Sequence, residues 1–313
     1  MTQLLNALPG ALAQGLIWGV MAIGVYITYK VLDIADLTVD GSICTGAAVC
    51  TMLLLGGQSP WLALLCAVLA GVLAGAVTGL LHVGLGIPPI LAGILTQMVL
   101  WSVNLKLLGK ANQALPARTT PVLLSQMDVG GALPVLLGFC VVLVALLVLF
   151  FGTELGCALR ATGCNPVMSR AQGVNTGLMK IIGLALSNGV VALSGALLCQ
   201  YQGYTDVNMG RGAVVIGLAA VVIGQAVLGR RGGRMAVQLG GVILGAMIYY
   251  IVYQVIIFAG FDTDLLKMFS AVVVAVFLGA PHVKAQLKAH SRSKKGDLSL
   301  IHISEPTRLR CIS

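Results

Sequence analysis

The segment at residues 153–175 reads TELGCALRATGCNPVMSRAQGVN and is rich in charged and turn-forming residues, whereas the sequence on both sides of it is apolar. The whole chain has 313 residues, of which 58% are hydrophobic and only 9% are charged. Soluble domains carry about 25% charged residues. A chain with so little charge cannot cover a water-facing surface, so it belongs in a lipid bilayer.

Nine apolar stretches are candidate transmembrane helices, because a span of the hydrocarbon core needs about twenty apolar residues. They lie at 10–30, 41–56, 60–82, 88–108, 131–152, 178–199, 212–229, 235–259 and 265–280. The second and the last are short, which is typical of broken or tilted helices. The predicted fold class is therefore all-α: a polytopic membrane protein of about nine transmembrane helices in a single domain, residues 1–297.

The distribution of Lys and Arg in short loops predicts the orientation. Five basic residues between 284 and 295 follow the last span and place that end in the cytoplasm. Counting back puts the loop at 230–234, the polar segment and the loop at 30–40 in the cytoplasm, with the N-terminus outside. The loop at 109–130, which carries two basic residues, then falls outside against the trend.

The net charge of +9 does not indicate a nucleic-acid partner. The basic residues lie in short loops and near the C-terminus, without interleaved aromatic residues, as in cytoplasmic membrane loops. The spacing of His and Cys suggests no metal site.

The last residues, 298–313, read LSLIHISEPTRLRCIS, which matches the translation of a common sequencing adapter followed by a barcode. Foreign sequence of this kind is set aside in reasoning about fold and function. We therefore expect residues 1–297 to represent the native protein.

The polar segment itself predicts two short helices. The first begins at Thr153 or Glu154 and ends near Gly163. The second begins at Asn165, because Asn caps free main-chain amides and the following proline fits the first helical position, and it ends at Gly173. Such helices are too polar for lipid and too short to be stable alone. We expect them to dock on a separate partner at the cytoplasmic face; an amphipathic surface loop is the alternative.

The segment resembles the cytoplasmic loop of the ABC importer permeases that serve branched-chain amino acids, ribose and nucleosides. The family pattern is T-x-x-G-x-x-x-R-A-x-G-x-N, followed by an Ala and a Gly-Val or Gly-Ile. The matching positions are Thr153, Gly156, Arg160, Ala161, Gly163, Asn165, Ala171, Gly173 and Val174. Three further stretches agree, namely DLTVDGS at 36–42, LGIPPILAGILT at 85–96 and VVIGQAVLGRRGGR at 221–234. The subgroup that it most resembles is the permeases labelled as tryptophan/tyrosine transporters.

The resemblance implies that residues 153–175 form a coupling helix that seats in a groove of a separate ATPase subunit. The residues that we expect to act in this coupling role are Glu154, Gly156, Arg160, Ala161, Gly163, Asn165, Arg170 and Gly173. It also implies two ATPase copies, a second permease chain, expected to be identical, and an extracytoplasmic substrate-binding protein, in the inner membrane of a bacterium. The chain lacks a G-x-x-x-x-G-K-[ST] loop, so we expect no cofactor of its own, with ATP bound by the partner, and no covalent catalysis.

Polar residues within or beside the spans are candidates for the translocation pathway, because an unpaired polar group in hydrocarbon is costly. The candidates are Asp36, Asp40, Ser42, Gln97, Asn104, Ser187 and Asn188. Asn188, which Gly189 follows in a span that also contains Ser187 and Ser194, is the best candidate among them. For each of them, a hydrogen bond between helices is an equally good interpretation. Asp40 or Ser42 would also suit the start of a helix.

Two rival functions remain at this point. A secondary transporter driven by an ion gradient would need carboxylates at depth or paired half-helices, and no Asp or Glu lies squarely inside a predicted span. An intramembrane enzyme would need a catalytic constellation at depth, which four histidines, two of them in the tail, do not supply. The family resemblance implies a small solute as cargo, an aromatic or branched-chain amino acid, with a sugar or a nucleoside left open.

Overall fold

The computed structural model describes residues 2–116, 122–228 and 234–258, together with single helical positions at 268, 272, 275 and 279. These ranges contain ten α-helices, one π-helical turn and two short strands. The helices are α1 Thr2–Tyr26, α2 Val39–Leu55, α3 Pro60–Gly84, α4 Pro89–Leu108, α5 Val129–Gly152, α6 Glu154–Cys164, α7 Pro166–Ala171, α8 Thr176–Gln202, α9 Ala213–Leu228 and α10 Met235–Phe258. The π-turn is Ile27–Val31, and strands β1 Asn112–Ala114 and β2 Tyr204–Asp206 pair antiparallel.

The predicted all-α membrane architecture is confirmed at the level of helices. Six helical segments within the described residues are long and apolar enough to cross a membrane, and α2 and α9 are shorter apolar helices. Together they coincide with the first eight predicted spans. The ninth prediction, 265–280, lies outside the described residues except for the four single helical positions, and the predicted tail at 298–313 lies wholly outside them.

Helix α8 lies at the centre of the fold and packs most closely against α3. The contact follows three glycines spaced four residues apart on α3, Gly71, Gly75 and Gly79. A Cβ atom at Gly79 would lie 2.8 Å from the Cα of Ile181, so no larger residue fits there without moving a helix. Small residues at such spacing let membrane helices approach closely.

Three helices present broad apolar faces to the outside. Exposed large side chains follow α3, α4 and α5, among them Leu73 at 67%, Met98 at 66% and Leu149 at 71%. Contiguous exposed apolar surface of this extent marks contact with lipid or with another protein. α1 and α8, by contrast, are largely buried.

The chain is non-helical at two places near the centre of the helix bundle. Residues 32–38 connect the π-turn to α2 and include Asp33, whose φ of 56° is in the left-handed region. Residues 207–212 connect β2 to α9. Irregular main chain at membrane depth is tolerated where it is buried in protein or lines a cavity. Both segments meet the first turn of α2, and this junction positions the candidate site.

Candidate functional site

The two short helices predicted from the polar segment are present, and their ends are capped as expected. The Thr153 hydroxyl accepts a hydrogen bond from the Gly156 amide at 3.3 Å and starts α6. The Asn165 side chain accepts from the amides of Val167 and Met168 at 3.1 and 3.0 Å and starts α7. Glu154 lies in the first turn of α6, where the helix dipole favours an acidic residue.

Gly173 and Arg170 complete the turn into α8. Gly173 has a φ of +83°, which a residue with a side chain rarely adopts. The Arg170 Nε donates to the Thr176 hydroxyl at 3.1 Å, and the Asn175 side chain accepts from the Leu178 amide at 3.1 Å. The helix pair is therefore tied directly to the first turn of the central helix.

Helix α6 docks on the membrane domain of its own chain. Leu159 is fully buried, and a Cβ atom at Gly163 would overlap the main-chain carbonyl of Val31 and come within 3.0 Å of the Leu32 Cα. Gly156 makes an equally close approach to the main chain of Phe151. The sequence argument missed this contact of α6 within its own chain, because no local pattern identifies the residues that cover its apolar face. The docking of the helix pair on a separate partner stays a prediction.

Helix α7 is different, because its surface is mostly exposed. Val167 is 77% and Met168 is 59% exposed, and Leu155 at the start of α6 is 52% exposed. The predicted coupling residues Arg160 and Ala161 are also exposed. The Arg160 guanidinium donates to the Cys157 sulfur at 3.4 Å. The helix pair thus presents an apolar patch beside two arginines to the surroundings.

Three of the predicted pathway residues meet in a buried hydrogen-bonded network. The Asn188 Nδ2 donates to the Asp36 carboxyl at 2.7 Å and to the main-chain carbonyl of Leu184 at 2.9 Å. The Ser42 hydroxyl donates to the Asn188 Oδ1 at 2.6 Å. The other Asp36 oxygen accepts from the Thr38 amide at 2.8 Å. This network joins the segment 32–38 and the first turn of α2 to the middle of α8.

The network corrects one step of the sequence reasoning. Asp36 is 5% exposed and lies against Asn188, near the middle of α8, so a carboxyl group does lie at the depth of a span. It falls outside every predicted span because the non-helical segment carries it there. The sequence also gave no sign that the Thr38 and Thr78 hydroxyls would pair at 2.8 Å beside it.

Ser187 is not part of this network. It is fully buried, and its hydroxyl donates to the main-chain carbonyl of Gly24 on α1 at 2.7 Å. The bond links two neighbouring helices, which is the other interpretation that the sequence left open.

The remaining three candidates, Asp40, Gln97 and Asn104, line a cavity of about 490 Å³ between α2, α4 and the segment 207–212. The Asp40 carboxyl accepts from the amides of Gly212 and Val214, both at 3.0 Å, and so caps α9. Sequence reasoning missed the other lining residues, among them Met98, Trp101 and Arg211. Arg211 lies just before the predicted seventh span, and its position there was the available signal.

Long apolar helices packed around a central helix place this molecule in the class of multi-pass membrane proteins, here with non-helical segments beside a cavity. Residues 8–280 match the family described as the permease component of the branched-chain amino acid transport system, and the chain belongs to this family. It is the permease subunit of an ABC importer for an amino acid or a similar solute, and it is not an enzyme.

Several curated relatives agree with this assignment. The chain is 38% identical over 287 residues to a tyrosine transport system permease protein of Clostridioides difficile, covering 91% of this chain and 94% of the relative. An uncharacterized protein of Rickettsia prowazekii is 33% identical over 279 residues, covering 88% and 98%. The autoinducer 2 import system permease protein LsrC of Escherichia coli is 29% identical over 216 residues, covering 66% and 60%. No solved structure gives a significant match.

Proposed function

We propose that α6 and α7 form the surface on which an ATPase subunit docks, and that the chain works as a homodimer with two such ATPases. An ABC permease implies an ATPase and a binding protein as partners. The observation that supports the docking surface is the contrast within the helix pair. α6 is held on the membrane domain by Leu159 and Gly163, whereas Val167 and Met168 of α7 are exposed.

The contacts of α6 also supply a route from this surface to the centre of the bundle. Gly163 touches Val31 and Leu32 at the start of the non-helical segment, and that segment ends in the network of Asp36 with Asn188. A displacement of α6 by the ATPase would therefore act on the junction between α2 and α8. In this proposal, ATP binding moves the helix pair and opens the pathway to the other face.

The proposed cargo is an amino acid with an aromatic side chain, in keeping with the name of the tyrosine transport permease among the relatives. The proposed pathway lies beside Asp40, Gln97 and Asn104, which line the cavity. Asp36, Ser42 and Asn188 form the neighbouring buried network. The proposed location is the cytoplasmic membrane of a bacterium, with α6 and α7 on the cytoplasmic side, where the basic loops place them.

The test is co-purification of tagged permease with the ATPase and binding protein encoded beside it. We expect a stoichiometric ATPase to co-purify with the wild-type chain. We expect it to be lost with Arg160→Glu and with Val167→Glu, because each glutamate would bury a carboxylate in the contact without a cationic partner. Leu85→Glu is the matched control, since Leu85 is an exposed apolar residue, at 71%, in another loop placed in the cytoplasm. A permease that brings down ATPase equally well in all four forms would overturn the docking surface.

A further inference from the structure

The cavity between α2, α4 and the segment 207–212 carries groups of opposite charge. The Asp40 carboxyl is held in place by the amides of Gly212 and Val214, and each of these bonds leaves further acceptor capacity on its oxygen. The Arg211 guanidinium lines the same cavity and makes no hydrogen bond or ion pair with a described residue. A ligand that satisfies both groups needs an anionic and a cationic end.

A second observation points to a missing hydrogen-bonding partner. Asn104 is 1% exposed and lines the cavity, yet neither its Nδ2 nor its Oδ1 has a hydrogen-bond partner within the described part of the chain. Buried side-chain amides are normally paired, because leaving one unpaired costs free energy. Both amide atoms are buried in this conformation, so a ligand carrying a donor and an acceptor would satisfy the amide once the side chain turns toward the cavity.

The α4 side of the cavity carries apolar and aromatic side chains beside its polar ones, and it is open, since Met98 and Trp101 are 66% and 44% exposed. Trp101 and Met98 lie one turn apart on α4 and both line the cavity. An indole face suits stacking with an aromatic ring, and a thioether also packs well against a ring. The volume of about 490 Å³ falls within the range of sites that enclose small ligands. A sugar would also suit the indole, but it would offer no charged group to Arg211 or to Asp40.

We propose that this cavity binds a zwitterionic amino acid with an aromatic side chain inside the permease itself. The α-ammonium group lies at Asp40, the α-carboxylate at Arg211, and the ring against Trp101, with Asn104 bonded to the polar end. The proposal rests on the proposed function, since it describes a site that binds the cargo on its way through the permease. It assigns selectivity to the permease as well as to the binding protein.

The test uses the permease–ATPase complex in nanodiscs of phosphatidylglycerol, without binding protein, and L-tyrosine as the probe. The chain has three tryptophans, so fluorescence excited selectively in tryptophan reports binding. We expect a saturable change with L-tyrosine that is absent in Trp101→Phe. The matched control is Trp61→Phe, which should retain the change, because Trp61 stacks on Phe139 away from the cavity.

Two analogues separate the charged contacts. Tyramine lacks the carboxylate and 3-(4-hydroxyphenyl)propionate lacks the ammonium group, so each should bind about tenfold more weakly than tyrosine. Arg211→Gln should weaken tyrosine binding by about the same factor and leave tyramine unchanged. Equal binding of the three compounds, or a change that survives in Trp101→Phe, would overturn the proposal. So would a signal that requires phosphatidylethanolamine and that tyrosine does not displace, since the site would then hold a lipid headgroup.

The same preparation separates this proposal from the proposed function. If the ATPase does not co-purify, the docking surface fails, whatever the cavity binds. If the ATPase co-purifies and drives tyrosine import while the permease shows no binding of its own, only the cavity proposal fails.

Discussion

Asn188 and Asn104 are both buried asparagines of membrane helices, with 0% and 1% exposure, but their amides have opposite surroundings. The Asn188 side chain donates to Asp36 and Leu184 and accepts from Ser42. The Asn104 side chain faces a cavity and has no hydrogen-bond partner within the described ranges. Burial of a polar residue in a span therefore does not separate a structural role from a binding role. In the cavity proposal, the occupancy of its hydrogen-bonding groups does.

The first turn of α2 explains why the two environments lie so close together. Ser42 points to α8 and joins the network, whereas Asp40 points to α9 and the cavity. The first turn of α2 thus separates the hydrogen-bonded network of Asp36, Ser42 and Asn188 from the cavity, whose lining includes polar groups without a partner among the described residues. We expect substitutions on the two sides to separate stability from transport.

The largest effect is expected from Asn188→Leu, which removes the asparagine whose amide is fully hydrogen-bonded. It removes the side-chain donor to one oxygen of the buried Asp36 carboxyl and the acceptor of the Ser42 hydroxyl, at a cost of about 3–4 kcal/mol in the free energy of unfolding. Thermal unfolding of the purified permease should show a large fall in the midpoint.

Gln97→Leu is the control for this measurement, because Gln97 lines the cavity and is only half-buried. It should leave the unfolding midpoint close to that of the wild type. A midpoint for Asn188→Leu that matches the control would show that the network does not hold α2 to α8.

Gly163→Ala tests the link between the helix pair and this network. The added methyl group would meet the Val31 carbonyl and the Leu32 main chain, and overpacking of this kind costs about 1–3 kcal/mol. We expect reduced stability and, from displacement of α6, reduced ATPase activity in response to cargo.

The matched control is Gly138→Ala on α5, where nothing lies within 4 Å of the added atom. It should be neutral, or slightly stabilising because alanine favours the helix. Equal behaviour of the two variants would mean that α6 is not in rigid contact with the start of the segment 32–38.

The helices that carry these two asparagines were predictable from the sequence, but the hydrogen-bond partners of the asparagine side chains were not. Apolar length and caps at Thr153, Asn165 and Gly173 are local signals, and the first eight spans and the α6–α7 pair follow from them. The bond from Asp36 to Asn188 joins residues 152 positions apart, and no local pattern encodes it. For the same reason, the sequence could nominate both Asn104 and Asn188, with Asn188 preferred for the pathway, but could not tell which one would find partners.

Asn104→Leu removes the asparagine whose amide has no partner within the described ranges, and it should stabilise the protein, whereas Asn188→Leu should destabilise it. Replacing an unpaired buried amide by an apolar group of similar size removes a desolvation cost, so we expect a gain of about 1 kcal/mol in the free energy of unfolding. Transport should fall, because the cargo loses a hydrogen-bonding group in the cavity. Unfolding midpoints and uptake into proteoliposomes, measured on the same preparation, check both expectations. A variant that loses stability as well as transport would show that Asn104 has a structural partner after all.

Ser187→Ala is expected to have the smallest effect, and it sharpens the comparison by testing a residue that the sequence grouped with Asn188. Its hydroxyl makes a single hydrogen bond to the Gly24 carbonyl, and bonds of this kind between membrane helices contribute about 0.6 kcal/mol. Ser187 is fully buried and absent from the cavity lining, so cargo uptake and the concentration for half-maximal uptake should stay at the wild-type values. A change in cargo preference without a change in the unfolding midpoint would place Ser187 on the pathway. The division between paired and unpaired groups would then fail as a guide to function.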